Sequence, residues 1–161
     1  GDQGKARAPH DQNRDYIDEP IYAAIRAMSR LTERHPPLAL IDFHDPWYLG
    51  NENDHLYLVK GDPQAYAALD RFSARLAHIA RQDGRADSIP YDGAHDLHAG
   101  QKWLPAEPNP TTSTAFFKRR GAQIALSVEI PYFGATVAVT PDNARRLGGQ
   151  LAQALADDLD A

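Results

Sequence analysis

The chain has no cysteine, one methionine and two tryptophans among its 161 residues. Without cysteine there is neither a disulfide framework nor a zinc finger, and a chain without thiols fits any redox compartment. No apolar run approaches the roughly 20 residues of a membrane span. Positive charge is in deficit: 17 Lys and Arg stand against 22 Asp and Glu, a formal charge of −5. A nucleic-acid partner wants a basic face and often a stacking platform, and the aromatic residues here are scattered. Neither nucleic acid nor membrane is therefore an expected partner. There is no glycine-rich phosphate loop, no internal repeat and no low-complexity tract. Ser113 and Ser127 lack the Gly-x-Ser-x-Gly elbow of a nucleophile. The N-terminus, Gly1-Asp2-Gln3-Gly4-Lys5, has no initiator methionine and does not read as a signal peptide. The localisation is left open.

What is present is the composition of a globular domain: 42% apolar and 24% charged residues, at a length that can bury a real core. Residues 1–14 read as loop. Glu19-Pro20 suits a helix entry, and Ile21, Ala24, Ile25, Met28 and Leu31 recur at helical spacing until His35-Pro36-Pro37 stops the run. Leu38–Phe43 is a short, nearly continuous apolar run and reads as a buried central strand. His55–Val59 reads as a second strand. Asp62-Pro63 caps a helix with Tyr66, Leu69, Phe72, Leu76 and Ile79 on one face. Residues 84–112 read as a long loop, of the kind that is usually functional or mobile. Ile124–Ile130 and Thr136–Val139 read as a third and a fourth strand, and Thr140-Pro141 starts a closing helix through Leu147, Leu151, Ala154 and Leu155. Helices alternating with short buried strands make an α/β fold.

In such sheets ligands bind beyond the carboxyl ends of the strands. That rule selects His44, at the end of the first strand, and Glu129, near the end of the third. A neutral imidazole at a strand end makes a good zinc ligand, particularly with a carboxylate nearby to orient it, as in Asp42-Phe43-His44-Asp45; the plain alternative is a histidine hydrogen-bonded in a turn. Glu129 is the one charged residue of its apolar strand. Partial burial there suits a general base, unless the side chain simply points to water. Asn13-Arg14, with Arg7 shortly before, puts two guanidinium groups and an amide in one loop. Such groups fork onto carboxylates or stabilise an oxyanion, although solvated loop arginines would look the same. His95 and His98, with Asp92 and Asp96, form a rival metal cluster if their segment is helical. The flanking Gly93 and Gly100 favour surface histidines in a loop.

Taken in chain order, these segments resemble the zinc metallocarboxypeptidase (carboxypeptidase A-like) family. The matching series is Asp11-Gln12-Asn13-Arg14-Asp15-Tyr16, a helix, Ile41-Asp42-Phe43-His44, then Ser127-Val128-Glu129 and a closing helix. The resemblance implies an α/β fold of the phosphorylase/hydrolase-like type, a mixed sheet flanked by helices. It implies that Asn13 and Arg14 bind a substrate carboxylate, that His44 is a zinc ligand, that Glu129 is the general base, and that Arg7 polarises the scissile carbonyl. The implied cofactor is zinc, and the implied substrate is a peptide or an acylated amino acid, cleaved at an amide bond. Two departures stand out. The family's His-x-x-Glu, which supplies the other zinc ligands upstream of the Asn-Arg segment, is absent: no histidine precedes His10, and Asn13 lies three residues after it. The family's substrate-capping tyrosine has no match between Gln101 and Gln123. The expectation is thus a single partial domain over 1–161, lacking its N-terminal part and inactive alone, whose remaining zinc ligands lie outside this chain. The alternatives are a non-catalytic carboxylate- or peptide-binding half-domain, and a different enzyme built on His95 and His98.

Overall fold

Glu19-Pro20 does lead into a helix, α1 (Ala23–Arg34), and the three following helices are α2 (Tyr66–Asp83), α3 (Ser113–Arg119) and α4 (Pro141–Leu159). Between them run strands β1 (Ala39–His44), β2 (Tyr57–Lys60), β3 (Leu97–His98) and β4 (Ile124–Glu129). This computed structural model describes residues 8–46, 51–132, 134 and 136–159. Local chemistry accounts for most boundaries. The Asp62 carboxylate accepts the Gln64 amide at the entry to α2, and Gly84 ends that helix in the left-handed conformation, φ 60°. The Thr112 hydroxyl accepts the Ala115 amide and so starts α3.

The strands form one mixed sheet in the order β1-β4-β2-β3. β1 and β4 are parallel, β2 is antiparallel to β4, and β3 is parallel to β2. The centre is therefore β4, not the Leu38–Phe43 segment. β1 is an edge strand of the described sheet, half-buried, with Phe43 56% exposed. An apolar run has the same composition at an edge as at a centre, so the pattern alone did not separate them. The strand expected over Thr136–Val139 does not form. The chain folds back there instead: a side chain at Gly134 would run into the carbonyl oxygen of Val137. A fourth strand comes from the stretch expected to be loop, as the two-residue β3.

One face of the sheet carries the main core. Alternate residues of β4, Ile124, Leu126 and Val128, pack with Leu58 of β2 against Leu69, Phe72 and Leu76 of α2 and Leu147 and Leu151 of α4. The intervening residues Ala125, Ser127 and Glu129 face the other way, where only Ala125 joins a smaller cluster with Phe116 and Phe117 of α3. This second face, less completely covered, is where the polar residues gather.

Candidate functional site

Register brings the two strand-end residues together. His44 of β1 lies beside Glu129 of β4, and Asp42 beside Ser127; residues so paired project to one face. Val59 of β2 pairs with Ser127 from the other side. His44, Val59, Ala125, Ser127 and Glu129 floor a cleft of about 840 Å³. Its walls are the Asp11–Arg14 turn, the outer face of α3, and the segment from Trp103 to Pro110.

The Asp11–Arg14 turn is held by a residue that the sequence did not single out. Asp15 is fully buried. Its carboxylate accepts His10 Nε2 at 2.7 Å and the amides of Ile21 and Tyr22 at 3.0 and 2.8 Å, which ties the loop to the entry of α1. Burial raises the Asp15 pKa, but the His10 and amide hydrogen bonds outweigh it and hold the carboxyl below its ordinary range. With Asp15 fixed, a 3-10 turn over Gln12–Arg14 aims Asn13 at β1.

The centre of the site is the Asp42 carboxylate. Its Oδ2 faces His44 Nε2 at 2.9 Å, Asn13 Nδ2 at 3.3 Å, and the Ser113 hydroxyl. The Ser113 amide in turn donates to Asn13 Oδ1 at 2.7 Å. The first residue of α3 thus grips both the loop and the strand. Asn13 Nδ2 also lies 3.2 Å from His44 Nε2. One ring nitrogen cannot both donate to Asp42 and accept from Asn13. The shorter contact to a carboxylate decides: Nε2–H donates to Asp42, and the Asn13 amide donates to the same oxygen. The hydrogen bond to Asp42 raises the His44 pKa, burial opposes it, and the charges of Asp42 and Glu129 add to the rise. Burial pushes the Asp42 carboxyl up, and the His44 and Ser113 contacts more than reverse this. His44 Nδ1 has no hydrogen-bond partner among the described residues.

Glu129 is buried at the carboxyl end of β4 and lines the cleft. Arg14 lines it too, donating to the Asn13 carbonyl at 2.8 Å, with no carboxylate partner among the described residues. Asp11 Oδ1 is buried in the cleft wall without a donor among the described residues. Arg7 lies outside the described residues. Trp103, 48% exposed, is the large apolar side chain at the cleft mouth.

A catalytic zinc needs three protein ligands and an open position. No group of three His, Cys, Asp or Glu side chains among the described residues could hold a metal ion. Among the described residues His44 is the one imidazole lining the cleft, and His10, next to the Asp11–Arg14 turn, is bound to Asp15. The described residues therefore do not fit a catalytic zinc. The His95/His98 pair does not converge either. His98 Nε2 meets Asp70 at 3.0 Å, whereas His95 stacks on His55 with ring centroids 3.7 Å apart.

Sequence reasoning also passed over Lys118, and weighed Ser113 only as a nucleophile and not as a clamp. Both belong to α3, which begins just past the expected 84–112 loop in a stretch to which the sequence assigned no element. The signal was Thr112, a cap residue, followed by Phe116-Phe117 and the basic Lys118-Arg119.

No protein-family model and no curated protein matches the chain. Among solved structures it is similar to a metallo-carboxypeptidase from Pseudomonas aeruginosa in complex with (2-guanidinoethylmercapto)succinic acid, with a TM-score of 0.68 and 15% identity. The match covers 94% of this chain and 40% of that one. The likeness is one of fold: an α/β arrangement with a mixed four-stranded sheet flanked by helices, similar to a metallocarboxypeptidase. No helix among the described residues is long and apolar enough to cross a membrane.

Proposed function

We propose that the cleft binds the carboxylate-bearing end of a peptide or acylated amino acid, in the manner of a metallocarboxypeptidase-like hydrolase. The observation that supports this most is the placement of Asn13-Arg14. The loop is clamped to β1 and α3 through Asp42 and Ser113, and it presents to the cleft a guanidinium that has no carboxylate partner among the described residues. A fixed, uncompensated guanidinium beside an amide is a ready fork for a carboxylate. Clamping it beforehand lowers the ordering cost of binding. The ligand of the Pseudomonas aeruginosa protein is itself a succinic acid derivative, which supports a carboxylate ligand here by analogy of fold.

In this reading Asn13 and Arg14 hold the carboxylate and orient the substrate across the floor. Glu129, at the carboxyl end of the central strand, is the proton acceptor, and Arg7 is an oxyanion partner inferred from the resemblance alone. Because the described residues do not fit a zinc ion, the isolated chain binds without turnover, and its activity in isolation is that of a carboxylate-binding module. The test is hydrolysis of N-acyl amino acids and short peptides by the isolated chain with added zinc, beside calorimetric binding of the same compounds. Binding without hydrolysis is expected. Robust turnover abolished by Glu129→Gln would overturn the claim of inactivity.

A further inference from the structure

We infer that the cleft selects substrates that carry a second negative charge next to the bound carboxylate, such as a C-terminal glutamate, and that Lys118 is the residue that reads it. The inference rests on the carboxylate-binding role of the same cleft. α3 ends in two cations, Lys118 and Arg119, and a third, Arg120, is its C-cap. Basic residues in a last turn complement the helix dipole, which explains their presence but not where each one goes. Arg120 pairs with Glu33 and lies over the Phe116 ring. Arg119 donates to the Pro110 carbonyl at 2.9 Å and straps α3 to the cleft wall. Lys118 has neither kind of partner. It is half-buried and lines the cleft, and its ammonium makes no ion pair or hydrogen bond within the described residues.

The helix period explains its direction. Thr114 and Lys118 are four residues apart and share one face, and both line the cleft. Below them the floor is Ala125 and Ser127, small side chains that leave room above the sheet. Acidic side chains also line the cleft, but they do not neutralise the cations. Asp62 caps its own helix through the Gln64 amide, and neither Arg14 nor Lys118 has a carboxylate within ion-pair distance among the described residues. Two cations that line one cleft, neither with a carboxylate partner among the described residues, match a ligand with two separated negative charges. Withdrawing a cation from water without a partner is costly, and the ligand's second carboxylate supplies that partner.

Calorimetry on the full 161-residue chain tests this with N-acetyl-glutamate, N-acetyl-leucine and N-acetyl-arginine. Wild-type protein should bind N-acetyl-glutamate about tenfold more tightly than N-acetyl-leucine, the usual value of one charge-assisted hydrogen bond. Lys118→Met should remove that gap while leaving N-acetyl-leucine binding unchanged, and Lys118→Glu should turn the preference toward N-acetyl-arginine. Equal binding of the glutamate and leucine compounds, unaffected by Lys118→Met, would overturn the selectivity and leave the carboxylate reading intact. Failure of all three compounds to bind would overturn both.

Discussion

Two groups of charged side chains in this protein are built in opposite ways. Around Lys60 every group has found a partner inside the chain. Its ammonium pairs with Asp70 at 2.7 Å and Asp96 at 3.0 Å. Asp96 also accepts the Ser73 and Tyr91 hydroxyls and the Leu58 amide, and His98 returns to Asp70. Burial and the Asp96 charge push the Tyr91 hydroxyl far above its ordinary pKa, so it remains a donor at all working pH values. In the cleft, by contrast, neither Arg14 nor Lys118 has a carboxylate within ion-pair distance, and Asp11 Oδ1 is buried without a donor, among the described residues. Burying charge is tolerable when hydrogen bonds satisfy it. The closed network serves the fold, where it pins β3 and its loop against α2. The open one is arranged for something that arrives from outside.

This contrast can be broken by mutation, and the largest effect belongs to the closed network. Asp96→Ala leaves Lys60 and two hydroxyls short of an acceptor and should cost about 3–5 kcal/mol in urea denaturation, with ligand affinity of the folded protein unchanged. A loss of affinity without a loss of stability would reverse the assignment. Asp15→Asn is next, at about 1–3 kcal/mol. Because the folded pKa of Asp15 lies below its ordinary 3.8, its contribution is present above that value and is lost as pH falls through the folded pKa. The variant's stability should therefore fall less steeply on acidification than that of the wild type. Ser113→Ala should cost about 1 kcal/mol and, by loosening Asn13, weaken carboxylate binding about fivefold. Unchanged binding would show that Asn13 needs no clamp. The smallest effect is that of His44. Its pKa is raised above the ordinary 6.5 by Asp42, so its stabilisation is complete below that pH and fades as pH rises through the folded value. His44→Gln should flatten this alkaline arm, as followed by thermal melting across pH 6–9.

The sequence and the structure agree where one strong local signal is enough. Glu129 stood out as a lone charge in an apolar strand, and His44 as a polar residue at a strand end; register then set them side by side. The helices with long apolar periodicity, α2 and α4, were legible for the same reason. Other features were not. Asp15 and Lys60 look like any charged residues until long-range folding buries them. β3 is two residues long and exists only because β2 offers it an edge. α3 is a single short helix whose role depends on Ser113 reaching residues 71 and 100 positions away. The edge position of β1 is a property of the sheet and not of its own composition.

The central claim is that Arg14 and Asn13 form a carboxylate-binding fork. It is tested most directly by titrating the protein with N-acetyl-leucine and with N-acetyl-leucinamide, followed by calorimetry and by NMR of the Asn13 side-chain amide. The acid should bind at least about tenfold more tightly than the amide and shift the Asn13 amide signal, and Arg14→Met should abolish the difference. Equal binding of acid and amide, or a preference for the acid that survives in Arg14→Met, would contradict the account.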